Sequence, residues 1–136
     1  MATATVLAAL IFWTLLLVAF LIGYRSMAVA KGQKAANEFS ADGSDVDAFG
    51  QRLTRAHANC VESFPIIGGT LILALATDLT SITEPLVYVL LAARVVQTLI
   101  HLASTSVLSV QIRFAAFLVQ LALCGYWLVQ LAGEFI

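Results

Sequence analysis

Four apolar runs, at residues 6–24, 59–76, 82–102 and 110–131, divide the 136-residue chain, and its one long polar stretch lies between the first two, from 30 to 50. Each run approaches the roughly 20 residues that a helix needs to cross the hydrocarbon layer of a membrane. The pattern predicts an all-α fold: an integral membrane four-helix bundle, a single domain over 1–136, with spans at about 6–24, 52–77, 82–104 and 109–133. Within the polar stretch, Gly43 and Ser44 are the clearest breaker and helix-start signals. Ser44 with Asp47 three residues on has the form of a capping box, so the second helix is expected from Asp45 to Thr77. At 1.5 Å per residue it would be about 48 Å long, and its first turns would stand outside the membrane. Ser81, Glu84 and Pro85 mark the start of the third helix, and the Ser/Thr-rich segment 103–109 turns the chain into the fourth.

Composition supports the membrane assignment. The chain is 61% hydrophobic and 11% charged, where a soluble domain is roughly half apolar and a quarter charged. The net charge of -1 hides an asymmetry. All seven basic residues, Arg25, Lys31, Lys34, Arg52, Arg55, Arg94 and Arg113, lie in or beside the first connection, in the third span or at the start of the fourth. The second connection carries Asp78 and Glu84, and the C-terminal end carries Glu134. By the positive-inside rule, connections one and three face the cytoplasm and both termini face the other side of a multi-pass protein, in the plasma (inner) membrane if the source is prokaryotic. A signal peptide ending at Ala28-Val-Ala30 is rejected, because no basic region precedes it and the apolar run exceeds the usual 7 to 15 residues. Cys60 and Cys124 fall inside spans and read as small packing residues. With His57 and His101 they make no metal-ligand spacing, so no metal is expected. Nothing indicates nucleic acid.

The chemistry concentrates where polarity is most costly. On a helix advancing about 100° per residue, Arg52, Arg55, Asn59 and Glu62 fall within about 80° of arc, and Arg94, Gln97 and His101 within about 60° of the third helix. The predicted topology brings both stripes to the cytoplasmic half, where Arg113 opens the fourth helix. Charges within lipid need a partner, a cavity or a ligand. One arginine, Arg55 or Arg94, pairing with Glu62 would be an ordinary packing device. Four arginines exceed what one acid neutralises, and the surplus reads as a site for a ligand bearing carboxylates or a thiolate. His57 lies off the stripe and suits a structural hydrogen bond. Gly68 and Gly69 suit a close helix contact, and Gln120 and Gln130 interhelical hydrogen bonds. A transporter would want polar groups through the full depth of the bundle, and this chain carries them mostly at one side.

The run Arg52-x-x-Arg55-Ala-His57-x-Asn59-x-x-Glu62-x-x-Pro65 resembles the signature of the MAPEG family, membrane-associated proteins in eicosanoid and glutathione metabolism. The likeness extends along the whole chain, including Arg94 on the third helix and Gln111-Ile-Arg113 at the start of the fourth. It implies a homotrimer in the lipid bilayer that binds glutathione as co-substrate on the cytosolic side and transfers it to a small hydrophobic substrate or reduces a hydroperoxide. It implies contacts to glutathione from Arg52, Arg55, Asn59 and Glu62, with Arg94, Gln97 and His101 from the third helix and Arg25 as the basic residue at the end of the first. Arg113 then takes the catalytic role of lowering the thiol pKa, since a nearby cation favours the nucleophilic thiolate. Gln97 and His101 stand where better-known members carry tyrosine, or histidine and tyrosine, and Phe114 where one branch carries serine. The alternative is a non-catalytic lipid-binding or scaffold protein of the same fold, which differs in making no thiolate.

Overall fold

The computed structural model describes residues 1–136. It is an all-α, membrane-spanning bundle of four helices: α1 (Ala2–Ala30), α2 (Ala48–Ala76), α3 (Val87–Ala103) and α4 (Val107–Phe135), with a 3-10 turn at Thr80–Ile82 before α3. α1, α2 and α4 have 29 residues each and are long and apolar enough to cross a membrane, whereas α3 has 17. The protein is therefore a multi-pass membrane protein. α1 runs along α2 and α3 along α4.

α1 is apolar on every side, yet it buries one seam. Thr3, Val6, Leu10, Leu17 and Leu21 are buried, with Trp13 and Tyr24 half-buried on the same line, in the three- and four-residue steps that keep side chains on one helix face. Ile11, Phe12, Leu15, Leu16, Phe20 and Ile22 remain exposed, as suits a surface solvated by lipid. The helix ends in a Schellman arrangement. Gly32 takes φ +68, Gly32 N donates to Val29 O at 2.9 Å and Gln33 N to Ala28 O at 3.0 Å, which satisfies carbonyls that a helix end otherwise leaves free.

The polar connection folds against the ends of α1 and α2. Lys34 pairs with Asp45, Ser40 N donates to Asp45 Oδ2 at 2.9 Å, and Phe39 lies beneath both the Arg25 guanidinium (5.3 Å) and the Lys34 ammonium (5.6 Å). The hydrogen bond from Lys34 and that from the Ser40 amide hold the Asp45 carboxyl below the usual carboxylate range. These contacts explain a difference from the expected start of α2. Asp45 is committed to the connection and Ser44 caps nothing, so the helix begins at Ala48 with Asp47 as its cap. Asp47 Oδ1 accepts from Gly50 N at 2.7 Å and from Tyr24 Oη at 2.6 Å, tying the α2 start to the α1 end. At 29 residues α2 is about 44 Å long. A Cβ on Gly50 would meet Tyr24 Oη at 2.5 Å, so any larger residue would have to displace the tyrosine and its bond to Asp47.

α2 closes on Asp78, whose φ of 58 allows Leu79 N to reach Ala74 O at 2.9 Å. The third helix also starts later than the sequence suggested. Thr83, fully buried, bonds Thr3 of α1 at 2.6 Å between hydroxyls. The Glu84 carboxylate faces the Met1 amine instead of closing a capping box, so α3 begins at Val87. Gly68 and Gly69 form no close helix contact. The space over Gly68 is filled by Phe64 of its own helix, 2.5 Å from a would-be Cβ, and Gly69 has nothing within 4 Å. Val6, Leu10, Ile67, Leu71, Val87, Leu90, Cys124 and Trp127 form one core cluster, and Leu17, Leu21, Leu53 and Cys60 a second. Both cysteines are free and buried. A polar layer separates the clusters.

Candidate functional site

Arg94, only 3% exposed, is the centre of that layer. Its Nη1 donates to Asn59 Oδ1 at 2.9 Å and its Nη2 to Ser63 Oγ at 2.7 Å. The i, i+4 spacing of Asn59 and Ser63 places both acceptors on one face of α2, where the fork of a guanidinium spans them. One turn along α3, Gln97 Nε2 donates to the same Asn59 Oδ1 at 3.1 Å. Gln97 Oε1 accepts from Gln120 Nε2 of α4 at 2.9 Å, and Gln120 Nε2 also donates to Ala116 O at 2.9 Å. Trp13 of α1 joins through Thr98 Oγ1 at 3.2 Å, and Thr98 donates to Arg94 O at 3.0 Å. All four helices thus meet in one hydrogen-bonded network, which is how membrane interiors accommodate polar groups.

Beside this layer lies a cavity of about 330 Å³ between α2, α3 and α4, lined by Arg55, Asn59, Gln97, His101, Val110, Arg113, Phe114 and Phe117. The structure brings these five polar residues of α2, α3 and α4 to one place, with Arg94 behind Asn59. No acid lines the cavity. The only ion pairs in the chain are Met1 with Glu84 and Lys34 with Asp45, so the packing device considered for Glu62 is absent: neither Arg55 nor Arg94 pairs with it. Arg113 Nε is buried and unpartnered. Two arginines and an apolar wall of Val110 and two phenylalanines suit a ligand that carries an anionic head and reacts with a hydrophobic molecule.

Other candidates stand elsewhere. Arg52 Nε donates to Leu102 O at 2.7 Å, so it closes the exposed carbonyl end of α3 and does not line the cavity. Glu62 is exposed on the outer face of α2, with Val61, Pro65 and Ile66 around it. Arg25 lines a separate cleft with Asn37 and Phe39 and donates to Ser40 O at 3.4 Å. His57 is half-buried and makes no hydrogen bond within the chain, and Gln130 is exposed, so neither forms the interhelical bond expected of it. Sequence reasoning did not place Ser63, Thr98 and Trp13 in the network, whereas the interhelical bond expected of Gln120 is present, to Gln97. Gln120 also follows Arg113 by seven residues, two helical turns on the same face.

A multi-pass four-helix bundle whose one arginine-rich cavity sits at a polar layer defines the class. Residues 3–133 match the model of the MAPEG family, and the chain belongs to that family. Membership carries the family's general lipid-handling role, and the family contains enzymes. Comparison with curated proteins and with solved structures found no match.

Proposed function

We propose that the protein is a glutathione-dependent membrane transferase or peroxidase acting on a lipophilic electrophile. The observation that carries this reading is the cavity that joins Arg55, Asn59, His101 and Arg113 to Val110, Phe114 and Phe117 with no acid among them. Arg55 and the Asn59 amide hold the peptide's anionic groups, with Gln97 and His101 beside them. Arg113, its guanidinium not committed within the chain, stands by the sulfur and favours the thiolate. With a halogenated aromatic, the thiolate forms the carbon–sulfur bond as halide departs. With a hydroperoxide, two thiols become a disulfide as the peroxide becomes alcohol and water. The assembly is a homotrimer in the bilayer, in which the exposed α2 face bearing Glu62 meets a neighbouring subunit.

Detergent-purified protein titrated with glutathione should develop the ultraviolet absorbance of a thiolate near neutral pH. Binding without that signal, or no binding, replaces this reading with the non-catalytic lipid-binding one. That rival draws on an apolar groove of about 500 Å³ between α1 and α2, lined by Ile11, Leu15, Val18, Val61, Phe64 and Pro65. The orientation, with the cavity cytoplasmic, rests on the basic residues in and beside the first connection and on Arg113 near the start of α4, against the acidic second connection. Single cysteines at exposed Ser44 and Ser81 should react with an impermeant reagent from opposite sides, Ser44 from the cytoplasm, and Cys60 and Cys124 are too buried to interfere. The reverse pattern would overturn the placement.

A further inference from the structure

Two ends of the polar layer have hydrogen-bonding characters that cannot change. Arg94 only donates, and the Ala116 carbonyl only accepts. The three amides between them are each reversible in principle, yet the ends leave a single solution. Asn59 must turn its oxygen to Arg94 (2.9 Å). Gln97, sharing that oxygen at 3.1 Å, must offer it nitrogen, and therefore offers oxygen to Gln120 at 2.9 Å. Gln120 must then present nitrogen, which is also what Ala116 O requires at 2.9 Å. Reversing any one amide sets like against like at two contacts.

The chain of orientations has an outlet. Asn59 Oδ1 already accepts twice, so the part of Asn59 left for the cavity that it lines is Nδ2, a donor without an acceptor in the chain. Arg55 and Arg113 are donors as well, and Gln97 has both ends occupied. Gln120 is fully buried, lines no part of the cavity, and spends both of its N–H groups on this arrangement while its own Oε1 stays unpaired. An unpaired buried oxygen is costly, and that cost is what the single orientation entails.

We propose that Gln120 is a positioning residue which, through Gln97 and together with Arg94, fixes Asn59 as a donor, so that the cavity receives an acceptor-only group, a carboxylate or a thiolate, at this wall. The inference rests on the glutathione reading and specifies which chemical face of the ligand the α2–α4 side recognises.

The test uses full-length protein in detergent, with Gln120→Met, Gln97→Met and the double variant. Dissociation constants are measured for glutathione, S-methylglutathione, which has no thiolate, and glutathione monoethyl ester, which has one carboxylate masked. Wild type should prefer glutathione over at least one analogue, and that analogue names the group at the wall. Gln120→Met should weaken glutathione by about 2- to 10-fold, the worth of one neutral hydrogen bond. It should narrow that preference, and add nothing in the Gln97→Met background. Equal weakening of all three ligands, additive effects, or no effect of Gln120→Met would overturn the positioning role while glutathione binding by wild type stands. Absence of glutathione binding by wild type would overturn this proposal and the glutathione reading together. If Gln120→Met does not assemble, Gln97→Met alone removes the same link, and its failure to narrow the preference overturns the proposal equally.

Discussion

Arg94→Ala is expected to weaken glutathione binding by about tenfold or more and to lower thermal stability. The guanidinium is almost wholly buried and does not line the cavity, so its influence passes through Asn59, whose Oδ1 it holds at 2.9 Å, while its second arm holds Ser63 at 2.7 Å. Hydrogen bonds to charged groups contribute about 1.5 to 3 kcal/mol each, and losing the one to Asn59 leaves that amide held by Gln97 alone. Arg94→Lys should not restore binding. An ammonium on a flexible stem keeps the charge but lacks the planar fork that reaches both α2 acceptors at once. Calorimetric titration together with thermal unfolding checks both variants. Wild-type affinity in a correctly assembled Arg94→Ala protein would reduce the residue to a packing element.

Arg113→Ala should raise the thiol pKa of bound glutathione by about 1 to 3 units, the range over which a neighbouring arginine commonly favours an anion. Each unit corresponds to about 1.4 kcal/mol. The thiolate formed near neutral pH in the wild type should then appear only at higher pH. Turnover with chlorodinitrobenzene should fall in kcat more than in KM, because the charge on sulfur matters most to the attacking state. The Arg113 side chain makes no bond that fixes a neighbouring helix, so stability should change little. A pH series of thiolate absorbance and of rate decides the matter: an unchanged thiol pKa in the variant would remove Arg113 from the chemistry.

Much of the architecture was legible because lipid imposes length and apolarity on anything that crosses it. The four helices and the convergence of Arg55, Asn59, Gln97, His101 and Arg113 follow from span length, connection length and helical spacing. Helix starts were less legible. Ser44 and Ser81 carried ordinary capping signals, but Asp45 bonds Lys34 and Ser40, and Thr83 bonds Thr3, contacts that no local pattern announces. The α2 stripe was legible only as a sector. Across its 80° the residues sort by angle: Glu62 lies outside, Arg55 at the rim, Asn59 within, and Arg52 against the end of α3. Where the sector turns inward depends on how α1 and α3 pack on α2, which one helix cannot reveal. Gln120 was legible as an interhelical hydrogen-bonding residue, but not Gln97 as its partner, because an amide shows its use only beside its partners.

The polar layer has a consequence for how the helices find one another. In a bilayer, leucine against leucine is scarcely better than leucine against an acyl chain, so the seam of Val6, Leu10, Leu17 and Leu21 gives little reason to prefer one vertical register over a slip of one turn. Arg94, Asn59, Gln97, Gln120 and Thr98 do give one, since any helix displaced by a turn strands an amide or a guanidinium among aliphatic side chains with no water to receive it. The layer that shapes the cavity therefore also acts as an alignment mark for assembly. A chain stripped of it would still enter the membrane and still gather its helices, but as a set of interconverting registers in place of one.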